Sequence, residues 1–169
     1  MAQDDTFRNN LPKGYLSVSQ VAQYMKCGMA YYYRYVLEQK IPSNVFQVQG
    51  RGVHKAAEKL HLGLIAGAPI SEEEMIQEYS DLYDQEIKEA VTEVDAEDED
   101  TDAKDVGVRL TKKYRRAAMG MEKLANGLPI PAVQPIAAER VVRVFLDHPE
   151  TGAIPFLGVI DLEEANAVA

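Results

Sequence analysis

The chain has 169 residues, a 46% hydrophobic fraction and a formal net charge of −9, which is enough length and apolar content for a packed core without disulfides or metals. Its single cysteine, Cys27, excludes an internal disulfide framework and any four-cysteine zinc site built from this chain. The acidity is local: residues 1–70 carry eight Lys or Arg against four Asp or Glu, residues 71–103 one against fifteen, and residues 104–169 nine against eight, so net charge does not exclude a phosphate-binding face.

The opening MAQDDTFRNN has neither the basic start nor the apolar centre of a signal peptide. No run of about 18 apolar residues follows, so the chain reads as cytoplasmic, neither exported nor membrane-spanning. After a polar lead-in over residues 1–15, a mainly helical region spans 16–92. Ser17 or Ser19 can cap a first helix carrying Val21, Tyr24 and Met25 at helical spacing. Gly28 loosens or ends it, and Met29 to Leu37 resumes it until Pro42. Asn44 opens a longer amphipathic stretch to about Ile65, with Val45, Val48, Val53, Ala57, Leu60 and Leu64 as the apolar stripe. Gly50 and Gly52 interrupt it, pointing to a bend or to close approach by another backbone.

Ser71-Glu72-Glu73-Glu74 begins the next helix, which runs to about Val91. Residues 93–103 form a like-charge run expected to be an acidic linker. A further helix covers 104–127, its core from Lys104 to Ala125 and its cap at Asn126-Gly127. Pro129, Pro131 and Pro135 then force an extended passage into a β-hairpin over 136–162. Its strands are Ala137 to Leu146 and Ile154 to Leu162, joined by the turn Pro149-Glu150-Thr151-Gly152. The second strand is apolar on both faces, with Phe156 and Ile160 on one and Leu157 and Val159 on the other. That is how a strand interior to a covered sheet reads. Left as an edge, 154–162 would be a template for self-association.

Three features stand out, one of them the serine-capped helix pair around Cys27 with its tyrosines. In Gly50-Arg51-Gly52-Val53-His54-Lys55-Ala56-Ala57-Glu58, a histidine follows a glycine pair on a helix; in Gly158-Val159-Ile160-Asp161, a carboxylate ends an apolar strand. A half-buried Asp needs a cation or donors nearby. A zinc site on one helix, from His54, Glu58 and His61, is the other metal arrangement the spacing allows. Lys112, Lys113, Arg115 and Arg116 form a basic cluster that a solvated helix face explains equally well.

The order LSVSQVAQYMKCGMAYYYRYV, GRGVHKAAE, ERVVRVFLDHPETGAIPFLGVIDL resembles the RecB-type branch of the PD-(D/E)xK nuclease superfamily, the branch of helicase-associated nuclease domains, phage exonucleases and CRISPR-adaptation nucleases. The resemblance implies an α+β, helix-rich fold with N-terminal helices packed on the first antiparallel hairpin of a restriction-endonuclease-like core, as one incomplete domain ending before the remaining strands. By position, His54 matches the family's helix-borne metal ligand and Asp161 its strand carboxylate. Gly158 would let the helix pack close to this strand. The family's next strand supplies an acidic residue, a spacer and a Lys, whereas LEEANAVA follows Asp161 here, with Glu163 and Glu164 but no lysine.

The implied cofactor is a divalent cation, Mg²⁺ or Mn²⁺, with an imidazole ligand favouring Mn²⁺. Cys27 matches the first iron–sulfur ligand of some family members, and a cluster would need three further cysteines from a longer protein. On its own it is expected to be a small buried residue. Arg51, Lys55 and Arg34 are the expected phosphate contacts, Arg34 among Tyr31, Tyr32, Tyr33 and Tyr35. Glu139 could lie near the metal, but a surface position on the first strand is the preferred reading. The implied function is a metal-dependent DNA exonuclease-like domain of DNA repair, recombination or phage DNA metabolism, lacking the acidic-x-Lys half-site and inactive alone. The alternative is a non-catalytic module on the same fold that binds single-stranded DNA or a helicase partner.

Overall fold

The computed structural model describes residues 11–39, 42–89, 96–149 and 152–165. Residues 1–10 of the polar lead-in, 93–95 of the acidic segment and 150–151 of the hairpin turn lie outside the described residues. The fold is α+β, with five α-helices and a small mixed sheet among the described residues. The chain divides into two compact units, one from Met1–Ile41 and Arg140–Ile160, the other from Pro42–Glu139 and Asp161–Ala169.

In the first unit, strand β1 (Leu16–Ser17) leads directly into helix α1 (Val18–Lys26). Of the two candidate caps it is Ser17 that serves, accepting a hydrogen bond from the Gln20 amide at 3.3 Å. The interruption falls at Cys27, whose backbone is extended, and Gly28 begins helix α2 (Gly28–Tyr31), which continues as a π-helical turn, Tyr32–Val36. Cys27 is exposed rather than buried, because it lies in this break and not on a packed helical face. The tyrosines divide as helical geometry demands: Tyr35 is buried under edge and tilted contacts that run from Tyr24 through Tyr31, while Tyr32 and Tyr33 are exposed.

The second unit is organised by three helices, α3 (Val45–Ile65), α4 (Glu72–Glu86) and α5 (Ala96–Ala118). Capping boxes start the first two: Asn44 with Gln47, and Ser71 with Glu74. The core gathers Val48, Ala56 and Leu60 of α3, Met75, Tyr79 and Tyr83 of α4, and Ala118 of α5. Helix α3 is continuous through both glycines. A Cβ at Gly52 would come within 2.8 Å of the Tyr79 ring, and one at Gly107 would collide with the Tyr79 hydroxyl, whereas Gly50 faces open space. Gly52 and Gly107 thus admit the aromatic ring of Tyr79, and at Gly52 the backbone of α4 approaches as well, the Tyr79 carbonyl oxygen lying 3.4 Å from where a Cβ would be.

Helix α5 departs from its expected bounds at both ends. It begins at Ala96, inside the segment expected to be an acidic linker over 93–103, because acidic residue types are favoured at a helix start and Ala and Glu are good helix formers. It ends at Ala118, not at Asn126-Gly127. Gly120 has φ +70°, its amide donates to the Ala117 carbonyl, and the Met121 amide donates to the Arg116 carbonyl. This is a Schellman stop seven residues early, while Asn126 and Gly127 form a later tight turn.

Strands β2 (Pro135–His148) and β3 (Gly152–Glu164) complete a sheet of order β1-β3-β2. Leu16 and Ser17 pair in parallel with Phe156 and Leu157. The 154–162 edge expected to be free is therefore occupied at those two positions, by a strand too short to carry a periodic signal. Nor is β3 covered on both faces among the described residues, since none of its residues is buried and Val159 and Ile160 are exposed. A Cβ at Gly158 would meet nothing within 4 Å.

Replacing Gly50 by Ala should stabilise the protein by up to about 1 kcal/mol, because it removes helical glycine entropy without a clash. Gly52→Ala and Gly107→Ala should destabilise it by about 1–3 kcal/mol through displacement of Tyr79. Urea denaturation of the three variants checks both signs.

Candidate metal centre

The core residues of α3 follow the stripe Val45, Val48, Gly52, Ala56 and Leu60. A second stripe, turned away from it, carries Gly50, Val53, His54, Ala57, Glu58 and His61, and these line a cavity of about 300 Å³. Tyr114 of α5, Glu139 of β2, and Asp161 and Leu162 of β3 complete the lining. Every one of these residues belongs to the second unit.

Three potential ligands converge here. His54 Nε2 lies 2.8 Å from Glu139 Oε1 and 3.9 Å from Asp161 Oδ1, and one donor atom from each residue falls within 4.8 Å of the other two. The His54 and Asp161 side chains are exposed and that of Glu139 is half-buried. A cluster with one imidazole and two carboxylates suits a divalent cation that accepts mixed nitrogen and oxygen ligands. Two carboxylates beside one another are also disfavoured unless positive charge compensates them. The donor set therefore fits a divalent cation.

Glu139 is the residue that strand periodicity hides. Its φ of +50° is left-handed, which is costly for a residue with a Cβ and breaks the regular alternation of a strand. A surface position is the preferred sequence reading, and the half-buried Glu139 side chain pairs there with exposed His54. The single-helix zinc arrangement does not form, because Glu58 accepts from Lys55 Nζ at 2.7 Å and His61 Nε2 is 2.7 Å from the Tyr114 hydroxyl.

The expected phosphate contacts each have a partner of their own. Arg51 pairs with Glu86, its Nε 2.6 Å from Oε2, and Lys55 is held by Glu58, whose hydrogen bond raises the lysine pKa. Neither belongs to the described lining of the cavity. Arg34 is in the first unit, its guanidinium 5.6 Å from the Tyr35 ring centroid. In the basic cluster, Arg115 donates twice to the Ile70 carbonyl and Arg116 pairs with Glu122, so those two are structural contacts.

The His61–Tyr114 pair was not legible from sequence, since it joins residues 53 positions apart. Burial pushes the His61 pKa below that of an ordinary histidine, against an opposing pull from Glu164 and Glu139 and with a small push from His54. Burial and Glu164 push the Tyr114 phenol up.

The unfolded chain therefore takes up a proton on His61 before the folded one does. The stability contributed by a neutral His61 is complete above the unfolded pKa of about 6.5 and is lost as pH falls from there toward the lower folded value. Denaturation midpoints should fall between pH 7.5 and 5.5, and fall less in His61→Gln.

Comparison with curated proteins finds no match, and comparison with solved structures finds none either. A family model for the PD-(D/E)XK nuclease superfamily matches residues 15–167, a span that contains every residue lining the cavity. The chain belongs to the PD-(D/E)XK nuclease superfamily.

Proposed function

We propose that this protein acts on DNA phosphodiesters as an exonuclease-like domain whose cation is held by His54, Glu139 and Asp161. The convergence of one imidazole and two carboxylates from α3, β2 and β3 within 4.8 Å carries the reading. When bound, a divalent cation supplies Lewis-acid charge stabilisation to a phosphodiester. Mn²⁺ suits the imidazole better than Mg²⁺ does.

The chain's own residues do the positioning. Helix α3 presents His54 from a rigid element whose other face is locked into the core, which is how a ligand is kept at fixed distance. Half-burial of Glu139 limits its rotamers, while exposed Asp161 leaves the site open to a long substrate. The family's water-orienting lysine has no counterpart in residues 162–169. Cation and DNA binding are the properties to be measured first. A role in DNA repair, recombination or phage DNA metabolism follows from the resemblance to RecB-type nucleases.

Titration with Mn²⁺, followed by calorimetry and by the loss of the free-ion paramagnetic signal, should give one site per chain. His54→Ala, Glu139→Ala and Asp161→Ala should each weaken it by about tenfold or more. Any cleavage of a DNA oligonucleotide in Mn²⁺ should disappear with a chelator and in the same variants. Unchanged Mn²⁺ affinity in all three variants would remove the basis of the assignment.

A further inference from the structure

One polar pair in the cavity is left over by the cation site. His61 is 4% exposed, its Nε2 hydrogen-bonds the Tyr114 hydroxyl at 2.7 Å, and both residues line the space shared by His54, Glu139 and Asp161. The other ring nitrogen, Nδ1, is buried and has no hydrogen-bond partner among the described residues.

That orphaned nitrogen decides which way the hydrogen bond runs. If the phenol donated to Nε2, the neutral imidazole would carry its proton on Nδ1, burying an N–H with no acceptor. If Nε2–H donates to the phenol oxygen, Nδ1 is a bare acceptor and the tyrosine O–H is released to point elsewhere. A buried N–H without an acceptor is among the rarest and costliest defects in folded proteins. The second arrangement is the favoured one, and it is kept at neutral pH because burial disfavours the charged forms of both rings.

The released hydroxyl proton then needs an acceptor. Glu58 is engaged by Lys55 and Glu139 by His54, and Glu164, whose charge acts on both rings, accepts from the Gln134 amide at 3.4 Å. We propose that the Tyr114 hydroxyl donates to a non-bridging phosphate oxygen of a DNA strand lying in this cavity, with His61 as the residue that positions it. The proposal rests on the nuclease reading above and extends it to a substrate-contacting residue outside the cation ligands. The chemistry of the lining favours a neutral donor here. Glu58, Glu139 and Asp161 repel a phosphodiester, and a lysine among them would be captured by a carboxylate, as Lys55 is by Glu58. A phenol attracts phosphate without competing with the cation for those carboxylates.

The test is the affinity of the whole chain for a fluorescein-labelled single-stranded DNA of roughly 12 nucleotides, measured by anisotropy in Ca²⁺, beside Mn²⁺ titration of the same proteins. Tyr114→Phe should weaken DNA binding about tenfold and leave Mn²⁺ affinity unchanged. Replacing one non-bridging oxygen by methyl, linkage by linkage, should identify a methylphosphonate that weakens the wild type and adds less than about twofold to Tyr114→Phe. His61→Gln, which can still donate to the phenol oxygen, should bind closer to wild type than His61→Met. Wild-type affinity in Tyr114→Phe, a parallel loss of Mn²⁺ affinity, or additive penalties at every linkage would each overturn the proposal. A wild type that binds Mn²⁺ but no DNA overturns it and leaves the cation site standing, whereas one that binds neither overturns the nuclease reading as well.

Discussion

The seating of Tyr79 between two glycines is the constraint on which the second unit depends. Its ring lies against Gly52 of α3 and its hydroxyl against Gly107 of α5, both too close for any side chain. Three helices can approach one another only because two residue positions are empty at the point where a large aromatic enters. Interiors are packed to near-crystalline density, so a single extra methyl there must move a ring or a helix. Once α3 is fixed by its Val48, Gly52, Ala56 and Leu60 stripe, the opposite stripe of His54, Glu58 and His61 has no freedom of its own. Cavity geometry follows from core packing on the other side of the same helix.

That division of labour explains a feature of α3 that a simple amphipathic helix would not have. Two of its histidines fall seven residues apart on the cavity side, yet their surroundings differ. His54 is exposed and meets carboxylates of both strands, while His61 is buried and meets a phenol. The same side chain thereby meets different surroundings at the two ends of the cavity. An accessible imidazole beside acidic groups suits a cation, and a dry, neutral imidazole suits the fixing of a hydrogen-bond direction.

Much of this architecture could be read from sequence. The starts of α3 and α4 followed from Asn44 and Ser71, because a cap is a local interaction among residues three apart. His54 and Asp161 were reached through the order of segments around them, and the structure places them 3.9 Å apart. Glu139 was named as a possible neighbour of the metal but not preferred, and its departure from the regular strand conformation is a feature that strand patterns do not announce. Strand β1 escaped because two residues have no periodicity to detect, and Tyr114 because only tertiary packing brings it to His61. The early end of α5 was a choice between two glycine signals. The Met119-Gly120 stop prevails because the first competent left-handed cap ends a helix regardless of a better-looking one downstream.

A cluster of carboxylates raises an electrostatic problem that its own geometry does not solve. Gathering Glu139 and Asp161 around His54 makes a strong place for a cation, and with Glu58 nearby it makes a poor place for an anion such as a phosphodiester. A cation held there would offset part of that repulsion, but only locally, whereas a DNA backbone presents charge along its length. Contacts away from the ion must therefore come from donors that the carboxylates cannot capture. Lysine and arginine fail this requirement on α3, since Lys55 is drawn to Glu58 and Arg51 to Glu86. Neutral donors held by buried partners satisfy it, and in this cavity Tyr114, oriented by His61, is the group of that kind.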